Sequence, residues 1–162
     1  NHKGYPTTVG QRKKGLRETK WNGRLTIIHR DPLFMVDGAH NPAAADMLED
    51  SVRKYFKGRN MYFIMGVFRD KDYSYIIRKL CPYAEQIVTI ETPDNPRALP
   101  AQELAEAVRE CNPHVQAAEN IQDAVNKVFA MADREDVILS FGSLSFIGEI
   151  TTIVKNREEK NL

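Results

Sequence analysis

An open, mostly parallel α/β sheet, with helices on both faces and an antiparallel hairpin at its start, is the fold that these 162 residues predict. Three observations carry it. Short apolar runs alternate with longer amphipathic stretches from residue 25 onward. Several of the runs are apolar at successive positions, as strands covered by helices on both sides require. The first two runs stand too close together for a crossover helix between them.

Taken in order, residues 25–28 and 33–36 are separated only by residues 29–32, which makes them the hairpin. Ala44, Met47, Leu48, Val52, Tyr55 and Phe56 then recur at helical spacing, giving one apolar stripe. Residues 61–67, 87–90 and 137–141 are the remaining strands. Leu104 with Val108, and Ile121, Ala124, Val125, Val128 and Phe129, mark two helices between them. Residues 143–154 are long enough for a last helix, with the Ser143 hydroxyl suited to its cap. Right-handed crossovers join the parallel strands.

Composition bounds the function. The chain is 42% hydrophobic and 28% charged, with 23 Lys and Arg against 22 Asp and Glu, which excludes a disordered polymer or a collagen-like repeat. No apolar run approaches the roughly 20 residues of a membrane-spanning helix. Cys81 and Cys111 stand thirty positions apart with no C-x-x-C, so neither a disulfide scaffold nor a structural zinc is expected, and a reducing cytoplasm is. The chain starts at Asn1 without an initiator Met or a signal-like apolar core, and reads as a piece of something longer. Residues 1–20 carry six bases (Lys3, Arg12, Lys13, Lys14, Arg17, Lys20) against Glu18 alone. With no aromatic interleaving beyond Tyr5, this head is a solvated linker or the edge of another domain rather than a nucleic-acid site.

In an open α/β sheet ligands gather beyond the carboxyl ends of the strands, so the residues after each strand matter most. After residues 33–36 comes Asp37-Gly38-Ala39-His40-Asn41-Pro42. Gly38 permits a tight turn, Asn41 can cap, and Pro42 suits the first helical position. Asp37 and His40 therefore sit at a helix N-terminus, where free N–H groups favour an anion and a strand-end carboxylate can meet ribose hydroxyls. The alternative is that both side chains only tie the turn together. Gly142-Ser143 makes a second strand-to-helix turn, either a capping serine or a carboxylate holder. Arg69-Asp70-Lys71-Asp72 follows the third strand and reads as a charged helix start. Arg97, in a loop stiffened by prolines at 93, 96 and 100, is suited to bidentate carboxylate binding. Phosphate-loop, dinucleotide and zinc-hydrolase motifs are all absent.

Gly15-Leu16, Trp21-Asn22-Gly23-Arg24, Asp37 to Pro42, Gly66 with Asp70-Lys71-Asp72, Pro96-Arg97-Ala98-Leu99 and Gly142-Ser143-Leu144 occur in the order and spacing of one family. From about residue 14 to 154 the chain resembles the C-terminal domain of folylpolyglutamate synthase/dihydrofolate synthase, of the Mur ligase superfamily. It departs from the family at Asn22, where proline is common, and at Ser145-Phe146, where a tyrosine often stands. The resemblance implies a Rossmann-like domain at residues 21–155, with residues 1–20 joining it to an N-terminal ATPase domain and residues 156–162 as a polar tail. It implies ATP-dependent addition of L-glutamate to folate through an acyl phosphate, in a cytoplasmic monomer, with the Mg²⁺ ligands in the ATPase domain and the isolated domain inactive.

Carried over by residue, the resemblance gives Asp37 to the ribose and Arg24 and His40 to the phosphates, with Asn41 on the same nucleotide side. Lys71, Arg97 and Ser143 are the candidates for glutamate, and Asp94 to Arg97 matches an amino-acid recognition string of the peptidoglycan ligases. Arg24 lies thirteen residues before Asp37, so pairing of the first two strands would bring it to the same site. Two other readings stay open: a non-catalytic α/β module that binds a nucleotide or a partner, and a Mur-type ligase domain for another amino acid.

Overall fold

The structure, a computed structural model, describes residues 7–18 and 23–160. Trp21, Asn22 and the bases at 3 and 20 lie outside the described residues. Within the basic head, α1 (Val9–Glu18) opens on a reciprocal cap: the Gln11 N–H donates to Thr8 Oγ1 at 3.1 Å and the Thr8 N–H to Gln11 Oε1 at 2.8 Å.

Six strands then form one sheet: β1 (Thr26–His29), β2 (Leu33–Val36), β3 (Met61–Met65), β4 (Gln86–Thr89), β5 (Val115–Ala117) and β6 (Val137–Phe141), in the spatial order β1-β2-β6-β3-β4-β5. Among the described residues, the β1–β2 pair is the only antiparallel pair of strands. The helices between them are α2 (Pro42–Tyr55), α3 (Tyr73–Leu80), α4 (Ala101–Arg109), α5 (Ile121–Met131) and α6 (Ile147–Lys160), with a 3-10 turn at Cys81–Tyr83 after α3.

Period-two alternation sorts each apolar run onto two faces. Met35, Phe63, Met65, Leu139 and Phe141 pack with α2, α3 and α4; Phe34, Val36, Ile64, Val88 and Ile138 pack with α5 and α6. Burial on both sides is why the runs lack polar alternation. Between α2 and α3 a polar network closes the outer seam. Tyr75 Oη donates to Asp46 Oδ1 at 2.7 Å, Lys79 Nζ to Glu49 Oε2 at 3.1 Å, and Tyr83 Oη to Glu49 Oε1 at 2.9 Å.

Several boundaries differ from expectation. β1 and β4 are displaced by one residue, β3 ends at Met65 rather than 67, and β5 carried no signal because it is three half-buried residues long. Residues 66 and 67 leave β3 because the chain turns there to pair elsewhere: the Leu99 N–H donates to Val67 O at 3.0 Å, and Phe68 bridges Ala98 antiparallel. The last helix starts at Ile147, not Ser143, so Ser143 does not cap it. Gly142 at φ +112° swings the chain away from the strand axis, and Phe146 must first reach the core beneath α5 and α6. That helix also runs through residues 156–160.

Candidate functional site

β2 and β6 are neighbours, yet α2 leaves β2 across one face of the sheet and α6 leaves β6 across the other. Strand order and helix side reverse there, which opens a crevice beyond the carboxyl ends. Four loops crowd it: residues 37–41, 66–72, 90–100 and 142–146. Glycine lets them approach. A Cβ on Gly142 would stand 2.2 Å from Gly66 O, and one on Gly38 2.3 Å from Leu144 Cδ2.

Asp37 is the centre of the first loop and is 5% exposed. Its Oδ1 accepts the Ala39 N–H at 2.8 Å and its Oδ2 the Leu25 N–H at 2.9 Å. The Gly38 N–H donates to Gly23 O at 2.7 Å, so the turn after β2 clasps the segment before β1. Leu25 is held there at φ +40°, a left-handed conformation that a branched side chain adopts only under such constraint. Burial raises the Asp37 pKa, and the two backbone N–H bonds and the Arg24 charge oppose it only in part.

The hairpin brings Arg24 to this carboxylate: Nη1 lies 4.0 Å from Asp37 Oδ1, with the side chain 53% exposed. Asn41 caps α2 through Oδ1, which accepts the Ala44 N–H at 2.9 Å, leaving its Nδ2 donors unspent. His40 Nδ1 stands 2.7 Å from Gly38 O, a contact in which the ring must donate. Its Nε2 is then the nitrogen left for a ligand, a donor to phosphate only when the ring is protonated. Beside Arg24 and Asp37 opens a cleft of about 400 Å³ lined also by Leu25, Ala44, Met47, Leu48 and Ser51. A mostly apolar wall with one cation and one carboxylate at its edge suits a flat ring bearing hydroxyl and phosphate groups. Met47, 72% exposed, belongs to that wall; its place on the helical stripe had marked it only as core.

Lys71 and Arg97 also come together. Lys71 Nζ lies 3.8 Å and Arg97 Nη1 3.4 Å from the same oxygen, Asp70 Oδ2. Asp72 rather than Asp70 caps α3, accepting the Tyr75 N–H at 3.1 Å. Ser143 is 2% exposed and its Oγ accepts the Ser145 N–H at 3.2 Å, which fixes it inside the β6 turn rather than on the open surface. Sequence reasoning missed Arg69, whose guanidinium forks onto Glu103 at 2.7 and 2.9 Å and ties the loop after β3 to α4. Nothing in the local sequence marks a pair 34 residues apart.

The family model for the Mur ligase glutamate ligase domain matches residues 23–144, a span that holds three of these loops whole and the start of the fourth. The chain belongs to the Mur ligase family. A dihydrofolate synthase/folylpolyglutamate synthase of Bacillus subtilis is 27% identical over 143 residues, covering 88% of this chain and 33% of its own length. Escherichia coli FolC, solved with DHPP and ADP, superposes with a TM-score of 0.85 at 22% identity over 96% of this chain and 36% of its own. A bifunctional folylpolyglutamate synthase/dihydrofolate synthase solved with Mn, AMPPNP and L-glutamate bound gives 0.76 at 23% identity over 98% of this chain and 36% of its own. This Mur ligase domain thus spans about a third of the length of these relatives. Among its described residues no helix is long and apolar enough to cross a membrane, and no group of three or more His, Cys, Asp or Glu side chains is arranged to hold a metal ion.

Proposed function

We propose that this chain is the C-terminal domain of an ATP-dependent ligase that adds glutamate to folate, a folylpolyglutamate synthase with dihydrofolate synthesis as a companion activity. The observation that carries the reading is the convergence of Arg24 and Asp37 on one strand-end cleft, with His40 three residues on in the same loop, in a domain of this family. The activities named for the Bacillus subtilis relative and the AMPPNP, Mn and L-glutamate bound in the structure of a bifunctional enzyme of this kind support it.

In this reading a folate carboxylate oxygen attacks the γ-phosphorus of ATP, the bond to ADP breaks, and an acyl phosphate forms. The glutamate amine then attacks the acyl carbon, loses a proton, and expels phosphate as the amide closes. The exposed guanidinium of Arg24 stabilises charge developing on phosphoryl and tetrahedral oxygens, and the loop after β2 offers His40 Nε2 and Asn41 Nδ2 to the same end. Asp37 takes the ribose: each of its oxygens spends one acceptor site on a backbone N–H and keeps another for a hydroxyl. Lys71 and Arg97 take the carboxylates of glutamate, with Ser143 the third and least accessible candidate.

The nucleotide enters with Mg²⁺. The described residues do not fit that ion, so its ligands and the phosphate loop are assigned to an N-terminal ATPase domain, for which the greater length of the relatives leaves room. No step on this chain runs through the metal. Residues 21–155 are the ligase-type unit, residues 1–20 the join and residues 156–162 the tail of a cytoplasmic monomer. The free thiols of Cys81 and Cys111 suit that compartment.

Joined to its ATPase domain, the protein should release ADP in a manner dependent on both folate and glutamate, and this domain alone should not. A folded full-length protein without such turnover overturns the reading. In that protein Arg24→Ala should lower kcat about 10²-fold, the usual loss for one preorganised charge stabiliser. A change confined to the glutamate KM would contradict the role given to Arg24.

A further inference from the structure

Arg97 is the exposed cation whose setting is most fully built. Its Cζ lies over the Phe68 ring, 4.7 Å from the centroid, and Phe68 itself is buried at 8% exposure. Nη1 approaches Asp70 Oδ2 at 3.4 Å, so one edge of the fork is engaged along the protein surface. The backbone is fixed as well. The Arg69 N–H donates to Arg97 O at 2.8 Å, Phe68 bridges Ala98, and the Arg97 N–H donates to Asn95 Oδ1 at 3.0 Å.

A guanidinium donates within its plane, so a ring covering its face consumes none of its five donors, and Asp70 engages only one of the two terminal nitrogens. The side chain remains 56% exposed, which leaves the other edge of the fork to solvent. An exposed arginine on a loop is otherwise free to sample many rotamers, and ordering it when a ligand binds costs affinity. Phe68 and Asp70 remove that cost in advance.

We propose that Phe68 and Asp70 are positioning residues for the incoming amino acid: the ring and the carboxylate together hold the Arg97 fork open toward a substrate carboxylate. This rests on the ligase reading above and adds to it the part of this chain that sets amino-acid affinity. Asp70 also stands 3.8 Å from Lys71 Nζ, so one carboxylate spaces both cations offered to a dicarboxylic amino acid. Neither residue touches the substrate.

The test uses the full-length protein at saturating ATP and folate with glutamate varied. Phe68→Leu should raise the glutamate KM about tenfold, within the range of a part-desolvated cation–π contact, while kcat and the ATP KM stay within about twofold. Phe68→Tyr, which keeps the ring face, should restore the KM. Asp70→Asn, at a surface position that the fold tolerates, should raise it about threefold on losing a charge-assisted contact. In an Arg97→Ala background, Phe68→Leu should add little, because the interaction it removes is already gone. An unchanged glutamate KM in Asp70→Asn and Phe68→Leu overturns the inference. So does a Tyr variant no better than Leu, or an equal Phe68→Leu effect with and without Arg97, since both are marks of simple packing. Wild-type protein lacking glutamate-dependent turnover would instead defeat the ligase reading itself, so the two failures are distinct.

Discussion

The loop after β2 and the loops after β3 and β4 share one edge of the sheet but hold their polar groups by opposite means. In the first, Asp37 is buried and its partners are backbone N–H groups of residues 25 and 39. In the others, charged side chains pair at the surface: Arg69 with Glu103 of α4, and Arg97 with Asp70 across two loops. Burial makes the first arrangement rigid and expensive to break, because an abandoned N–H inside the protein loses its full solvation. Exposure makes the second cheap to break and easy to readjust, because water replaces what is lost. Under the ligase reading proposed above, a site that must fix a nucleotide and admit a second substrate has a use for each.

The contrast predicts a gap in stability. Asp37→Ala orphans two N–H groups at about 1–3 kcal/mol each, less the cost of keeping a carboxylate in that setting, so a net loss of about 3 kcal/mol is expected from denaturant unfolding. Glu103→Gln breaks a two-pronged pair whose side chains are 55% and 47% exposed, and should cost no more than about 1 kcal/mol. Equal losses in the two variants would break the comparison. A stability loss from Glu103→Gln that disappears at high salt would sharpen it, since only the surface pair is screened.

The same division explains what could be read from the sequence. The turn at residues 37–42 was legible because its logic is local: Asn41 caps a residue three positions on, and Asp37 accepts from a residue two positions on. Arg24 could be placed near Asp37 because a hairpin with so short a connection allows little else. The partners of Arg69 and Arg97 lie 34 and 27 residues away and depend on Phe68 and Ala98 forming a bridge that no periodicity announces. The cap expected at Ser143 fails for a related reason: a small hydroxyl residue before an apolar stretch resembles a cap, but Gly142 turns around Gly66, which lies on a different strand end. Strand cores were visible, and strand ends were not where a second loop captured them.

The smallest effect lies in the pH dependence, where carboxylates in two settings should slope in opposite directions. The Asp37 pKa is raised, chiefly by burial, so the native state binds protons more readily than the unfolded chain. Its contribution is present at low pH and is lost as pH rises through the raised value. Glu49, on the outer seam of α2 and α3, is lowered, first by the Lys79 hydrogen bond and then by that of Tyr83. Its contribution is present above the ordinary glutamate value and is lost as pH falls through the depressed one. The stability difference between wild type and Asp37→Asn should therefore shrink as pH rises from about 3 to 6, while that between wild type and Glu49→Gln should grow over the same interval. Denaturant midpoints of the three proteins across that range measure both slopes. Slopes of the same sign would mean that the N–H groups of Leu25 and Ala39 outweigh burial at Asp37, and that the strand-end carboxylate is held as favourably as the surface one.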